Sequence, residues 1–146
     1  MDIIIPDWKE REIIMTNKII KIMVLEDDKE RIKVFRSNME VEGVSLTFTD
    51  LVPACISALE LCEYDYLFLD HDLGGKTYVP SDGEEKTGWH VAKWLSENPN
   101  RKPANIFLHS LNEAGRKNMK SLLPEAVELP FAWKLMKVKD SAECSD

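Results

Sequence analysis

The chain has 146 residues, 44% of them hydrophobic and 31% charged, with a formal net charge of -7. That size and apolar content suit one domain with a real core, and the acidic balance excludes a broad basic groove tracking duplex DNA, where affinity comes mainly from Lys and Arg displacing counterions. Cys55, Cys62 and Cys144 form neither a metal-spaced pair nor an even disulfide set, no apolar run approaches the roughly 20 residues that span a bilayer, and the start lacks the features of a signal peptide, so the expectation is a soluble, cytoplasmic protein with reduced thiols.

Residues 1–17, where Ile3-Ile4-Ile5 breaks at Pro6, read as an N-terminal extension to a domain over 18–140, with 141–146 as a frayed tail. Ile19 to Leu25 is the first buried strand, and it stops at Glu26-Asp27-Asp28. Ile32, Phe35 and Met39 then repeat at helical spacing, with Lys29, Glu30, Arg31, Lys33 and Arg36 as the wet face and Gly43 as the stop. Val44 to Thr49 alternates apolar and hydroxylated residues, as a half-covered strand near a sheet edge does. Asp50 is the expected cap of the next helix, with Pro53 in its first turn and Ile56, Ala58 and Leu59 facing inward.

Tyr66-Leu67-Phe68-Leu69 is a continuous apolar run that ends in Asp70-His71-Asp72-Leu73-Gly74-Gly75. Such a run reads as a strand buried on both faces of a parallel sheet. Ligands of open α/β sheets bind beyond the carboxyl ends of the strands, where these polar residues stand, and the two glycines let the backbone turn and come close to a ligand. The loop over 73–86 is long enough to be either a lid or a tolerated surface insertion. Thr87 caps a helix through Leu95 that buries Val91, Ala92 and Leu95, and His90 on it reads as packing or surface. Asn98-Pro99-Asn100 ends it. Ala104 to Leu108 is the fourth strand, leading into His109-Ser110-Leu111-Asn112. Asn112 or Ser110 caps a helix carrying Met119, Leu122 and Leu123, and Pro124 terminates it. Ala126 to Leu129 is a short fifth strand before Pro130-Phe131, after which Trp133, Leu135 and Val138 dock weakly.

This alternation predicts an α/β fold, a doubly wound five-stranded parallel sheet of order 2-1-3-4-5. The ends of the first, third and fourth strands then lie side by side. Glu26, Asp27, Asp70, His71, Asp72, His109 and Ser110 are therefore expected in one crevice.

Val24-Leu25-Glu26-Asp27-Asp28 resembles the acidic opening of response-regulator receiver domains, Leu67-Phe68-Leu69-Asp70 their phospho-accepting strand, and Pro130-Phe131 the Lys-Pro-Phe after their fifth strand. The resemblance implies a receiver-like (flavodoxin-like) fold with a shortened C-terminal helix, Mg²⁺ held by Glu26, Asp27 and Asp70, and Asp70 as phosphoryl acceptor. Leu129 stands where receivers carry the lysine, Lys134 is out of register, and the fourth-strand hydroxyl is either replaced by His109 or supplied by Ser110. Asp70-His71-Asp72-Leu73-Gly74-Gly75 together with His109-Ser110-Leu111-Asn112, Gly115 and Met119 is similar to a divergent group, the cyclic-phosphate processing receiver domains. That similarity implies action on cyclic phosphates in phage and RNA-repair settings.

Opening a cyclic phosphodiester needs an attacking water, relief of charge on phosphorus oxygens and a proton for the departing alkoxide. Glu26, Asp27, Asp70 and Asp72 form the expected metal set, since crowded carboxylates call for Mg²⁺ or another divalent cation. His71 and His109 are the proton-transfer candidates, one as base and the other as acid, beside a catalytic Asp70. Ser110, Asn112, Gly74 and Gly75, with the amides of the helix start, are the expected phosphate-binding groups. The expected activity is a metal-dependent phosphoesterase acting on a small nucleotide or an RNA end, with no membrane partner. The alternatives are an atypical receiver phosphorylated on Asp70 and a pseudo-receiver that binds a partner.

Overall fold

The computed structural model describes residues 18–75, 79–81, 83 and 85–129. The expected N-terminal extension, Pro130-Phe131, Lys134, the docking of Trp133, Leu135 and Val138, the shortened C-terminal helix and the frayed end all lie outside those residues. Within them, strands β1 (Ile20–Leu25), β2 (Val44–Thr49), β3 (Tyr66–Leu69), β4 (Asn105–Leu108) and β5 (Val127–Glu128) alternate with helices α1 (Lys29–Met39), α2 (Val52–Leu61), α3 (Gly88–Glu97) and α4 (Glu113–Leu122). Every strand pairing is parallel, in the order β2-β1-β3-β4-β5 that the alternation of elements predicts. No helix among the described residues is long and apolar enough to cross a membrane.

The period of two along each strand divides the core into two layers. On one face Ile20, Ile22, Val24, Tyr66 and Phe68 pack against Val34, Phe35 and Met39 of α1. On the other, Met23, Leu25, Leu67, Leu69, Ile106 and Leu108 meet α2, α3 and α4 through Val52, Leu59, Val91, Leu95 and Met119. Each such buried side chain contributes about 1.5–3 kcal/mol relative to exposure. β3 is buried along its whole length because both layers cover it. β2, at the edge, keeps its half-covered alternation.

Most helix starts follow the sequence. Asp28 caps α1 by accepting the amides of Glu30 and Arg31 at 2.8 and 3.2 Å. Thr87 and His90 form a reciprocal cap on α3, and of the two candidates for α4 it is Asn112 that caps, accepting from the Gly115 amide at 2.9 Å. The expected Asp50 cap is corrected: α2 has Leu51 at its N-cap with no side-chain bond, while Thr49 Oγ1 accepts the Leu51 amide at 3.2 Å. Pro53 explains why this end tolerates the loss, since a proline in the first turn carries no N–H to satisfy. α3 also runs two residues past Leu95, to Glu97.

Candidate functional site

Register builds the site. Leu25 pairs with Leu69 and Leu69 with Leu108, and the ladder continues one step further, with the Asp70 amide donating to Leu25 O and the His109 amide to Leu69 O, both at 3.1 Å. Glu26, Asp70 and His109 are thus the next residues of three adjacent strands. They share the parity of Val24, Phe68 and Phe107, so all three side chains stand on the α1 face. Their exposures are 1%, 3% and 1%.

The three groups touch. His109 Nε2 lies 2.9 Å from Glu26 Oε1, and each of Glu26, Asp70 and His109 offers a ligand atom within 4.8 Å of the others. Glu26 Oε2 also accepts the amides of Asp27 and Asp28, each at 3.1 Å, while Asp70 Oδ1 accepts the His71 amide at 2.8 Å. Since a carboxylate only accepts, His109 donates from Nε2. Among the described residues its buried Nδ1 has no hydrogen-bond partner. Phe35 and Phe68 flank the ring, with centroids 5.2 and 6.4 Å away.

Arg31 completes the cluster from the first turn of α1, its Nη1 lying 3.4 Å from Glu26 Oε1 and 3.5 Å from Asp70 Oδ2. Sequence reasoning placed this residue on the wet face. The signal that would have found it is its position three residues after the Asp28 cap, on a helix that starts at the tip of β1. Arg31 supplies a cation to a site whose receiver-type lysine position is held by Leu129, itself half-buried beside β4.

Electrostatics separates the two acids. Burial pushes Glu26 upward, but the hydrogen bond and charge of His109, then Arg31 and the Asp28 amide, outweigh it and hold the carboxyl at about 2. Burial raises Asp70 to about 7, against the charges of His109 and Arg31 and with the help of the neighbouring Glu26 charge. Near neutral pH the site therefore holds one ionised carboxylate and one that exchanges its proton. Two carboxylates at this spacing, with a guanidinium already lying between them, fit a hard divalent cation.

The single crevice expected for seven residues divides in two: alternation sends His71 and Ser110 to the face opposite Asp70 and His109, and Asp72, beyond the end of β3, is held with His71 by its hydrogen bonds to that ring and to Asn112. Asp27 turns away to accept the Gly75 amide at 2.6 Å. Gly74 and Gly75 are exposed and adopt φ of 70° and 76°, a left-handed turn that glycine makes without a Cβ penalty. His71, fully buried, lies with Nδ1 2.7 Å from Asp72 Oδ1 and Nε2 2.8 Å from Ser81 Oγ. Asn112 Nδ2 donates to Asp72 Oδ1 at 3.0 Å and to Val79 O at 3.3 Å, and Ser110 Oγ accepts the Asn112 amide at 3.1 Å. The structure therefore brings Glu26, Asp70 and His109 together on one face and His71, Asp72 and Asn112 on the other. Ser81, Asn118 and Arg31 are the members that sequence reasoning missed.

Two glycines permit these contacts. A Cβ on Gly88 would lie 1.8 Å from the Asp70 carbonyl oxygen, and one on Gly115 would lie 2.4 Å from the His71 ring. A side chain at Gly88 would run into the Asp70 backbone, and one at Gly115 would collide with the His71 ring.

A family model described as the cyclic-phosphate processing receiver domain matches residues 21–125. Comparison with curated proteins gave no match. Among solved structures, the chain is similar to the RcsB response regulator of Salmonella typhimurium, with 16% identity and a TM-score of 0.54 over 89% of this chain and 62% of that one. It spans less than two thirds of that protein's length. It is also similar to the response regulator domain of CheB from Thermotoga maritima, with 16% identity and a TM-score of 0.52 over 76% of each chain. The non-phosphorylated receiver domain of RcsB from Escherichia coli aligns at 17% identity and a TM-score of 0.52, over 88% of this chain and 96% of that one. At these identities the likeness carries the flavodoxin-like receiver fold alone. The family match covers well over half of the residues, and the chain belongs to the cyclic-phosphate processing receiver domain family.

Proposed function

We propose that the chain is a phosphoesterase that opens a cyclic phosphate, either an RNA 2′,3′-cyclic end or a cyclic nucleotide, at the Glu26, Asp70 and His109 cluster. RNA repair is the setting that the family resemblance implies. The observation that carries this reading is the in-register convergence of two buried carboxylates and an imidazole at the ends of β1, β3 and β4, with Arg31 between the acids.

Each side chain has a task. Glu26, ionised and bonded to Nε2, orients the His109 ring, and the unpartnered Nδ1 is the nitrogen left to move a proton to or from the reacting oxygen. Arg31, with one face in solvent, neutralises the non-bridging phosphate oxygens; its planar donors suit that geometry. Glu26 and Asp70 would hold a divalent cation such as Mg²⁺, which when bound polarises phosphate oxygens and lowers the pKa of its water. Phe35 and Phe68 keep bulk water from the imidazole.

Phosphorus NMR of cyclic mononucleotides and cyclic-ended oligonucleotides, with protein and Mg²⁺, tests the reading. Ring opening to a phosphomonoester is the expected result. The second reading, an atypical receiver phosphorylated on Asp70, is favoured by the place of Asp70 at the end of β3 in a receiver fold. Stable labelling of Asp70 by acetyl phosphate, with every cyclic substrate untouched, would decide for it.

A further inference from the structure

Three side chains that the proposed chemistry leaves unused line up on the opposite face of the sheet edge. Asp72 Oδ1 lies 2.7 Å from His71 Nδ1, and His71 Nε2 lies 2.8 Å from Ser81 Oγ. The donor inventory places the protons. Asn118 Nδ2 donates to Ser81 Oγ at 2.9 Å, and the Asp72 carboxylate accepts. All of these contacts are satisfied when His71 carries its proton on Nδ1 and its Nε2 lone pair receives the Ser81 hydroxyl. A hydroxyl is then bonded to a base, and the base to an orienting carboxylate.

The surroundings hold that geometry. The imidazole packs directly against Gly115, where even a Cβ would meet the ring at 2.4 Å. Asp72 Oδ1 is itself fixed by Asn112 Nδ2 at 3.0 Å and by the Val79 amide at 3.2 Å. Ser81 is 7% exposed, but Asn118 beside it is exposed, so the hydroxyl lies just under the surface with an amide donor next to it. Such a donor serves a developing oxyanion.

We infer that Ser81, His71 and Asp72 form a second reactive centre, independent of the cyclic-phosphate site, in which Ser81 is the nucleophile toward an uncharged carboxylic ester. The donor beside Ser81 is the neutral Asn118 amide, which suits a carbonyl oxygen. Ser81 Oγ forms a bond to the carbonyl carbon as its proton passes to His71 Nε2, and the carbonyl electron pair moves onto oxygen, where Asn118 Nδ2 holds it. As the pair returns, the carbon–alkoxide bond breaks and the alkoxide leaves with the proton from His71. Water repeats the two steps and frees Ser81 and the carboxylic acid.

The test treats the full chain with p-nitrophenyl acetate and, separately, with a fluorophosphonate, and maps the adduct by peptide mass spectrometry. One acyl or phosphonyl group on Ser81 is expected. In Asp72→Asn, acylation should slow by roughly 10⁴-fold because the imidazole tautomer is no longer held. In Asn118→Ala it should slow by about 10²- to 10³-fold, an effect that a mere fastening of the loop to α4 does not produce. Circular dichroism confirms that each variant folds, and mapping on the unsubstituted chain stands without them. No adduct on Ser81, or acylation of Asp72→Asn at the unsubstituted rate, would overturn the inference.

Discussion

Glu26 and His109 are 83 residues apart in the chain and 2.9 Å apart in space, joined Oε1 to Nε2 at the ends of two strands that do not touch each other. β3 lies between them, and Asp70 at its end completes the group. The bond is charge-assisted, a kind worth about 1.5–3 kcal/mol. Glu26→Gln should therefore lower stability near neutral pH by about 2 kcal/mol. The folded carboxyl sits at about 2 against an ordinary 4.5, so this stabilisation is present above 4.5 and lost as pH falls toward 2. Urea titrations at several pH values check it: the gap between the two proteins narrows with acid.

Asp70 behaves in the opposite sense. Its carboxyl rises from 3.8 to about 7 on folding, so the folded chain binds the extra proton, and stability declines as pH rises through that interval. In the presence of a chelator, Asp70→Asn should abolish that decline and be the more stable protein above pH 7, by on the order of 2–4 kcal/mol. Thermal melts from acid to mildly alkaline pH read the effect directly.

Cation binding should compete with both the Asp70 proton and the Arg31 guanidinium. Titration calorimetry with Mg²⁺ or Mn²⁺ is expected to show proton release near pH 7 and an affinity that climbs as pH rises through it. Removing the competing charge with Arg31→Gln should tighten binding about tenfold, an effect well within the few kcal/mol that a charge pair at this range carries.

Gly88 and Gly115 are steric requirements of the two clusters. Gly88→Ala drives a methyl into the backbone carbonyl of Asp70, which only a shift of α3 relieves, and should cost about 3 kcal/mol. Gly115→Ala meets a ring instead of backbone and should cost about 1–3 kcal/mol, with disruption of the His71 to Ser81 bond. Denaturant midpoints rank the two variants.

The sheet and its order were legible because hydrophobic runs at Ile20–Leu25, Tyr66–Leu69 and Asn105–Leu108 end in polar residues and alternate with helical periodicity. The loss lay in parity. Asp70 and His71 are neighbours in sequence, but the pleat sends them to opposite faces, so adjacency in the chain overstated what shares a site. Arg31 was hidden because a charged residue in a first helical turn has the same pattern whether it meets water or a buried acid. Ser81 and Asn118 carry no periodic signal, and only the path of the loop brings the first against α4.

The most direct test of the central claim is the initial rate of ring opening of a 2′,3′-cyclic mononucleotide, followed by phosphorus NMR with Mg²⁺, for the unsubstituted chain and for His109→Ala. Turnover is expected for the first and a rate lower by about 10²- to 10⁴-fold for the second, the usual worth of a positioned proton-transfer group. No ring opening by the unsubstituted chain, or equal rates in the two proteins, would contradict it.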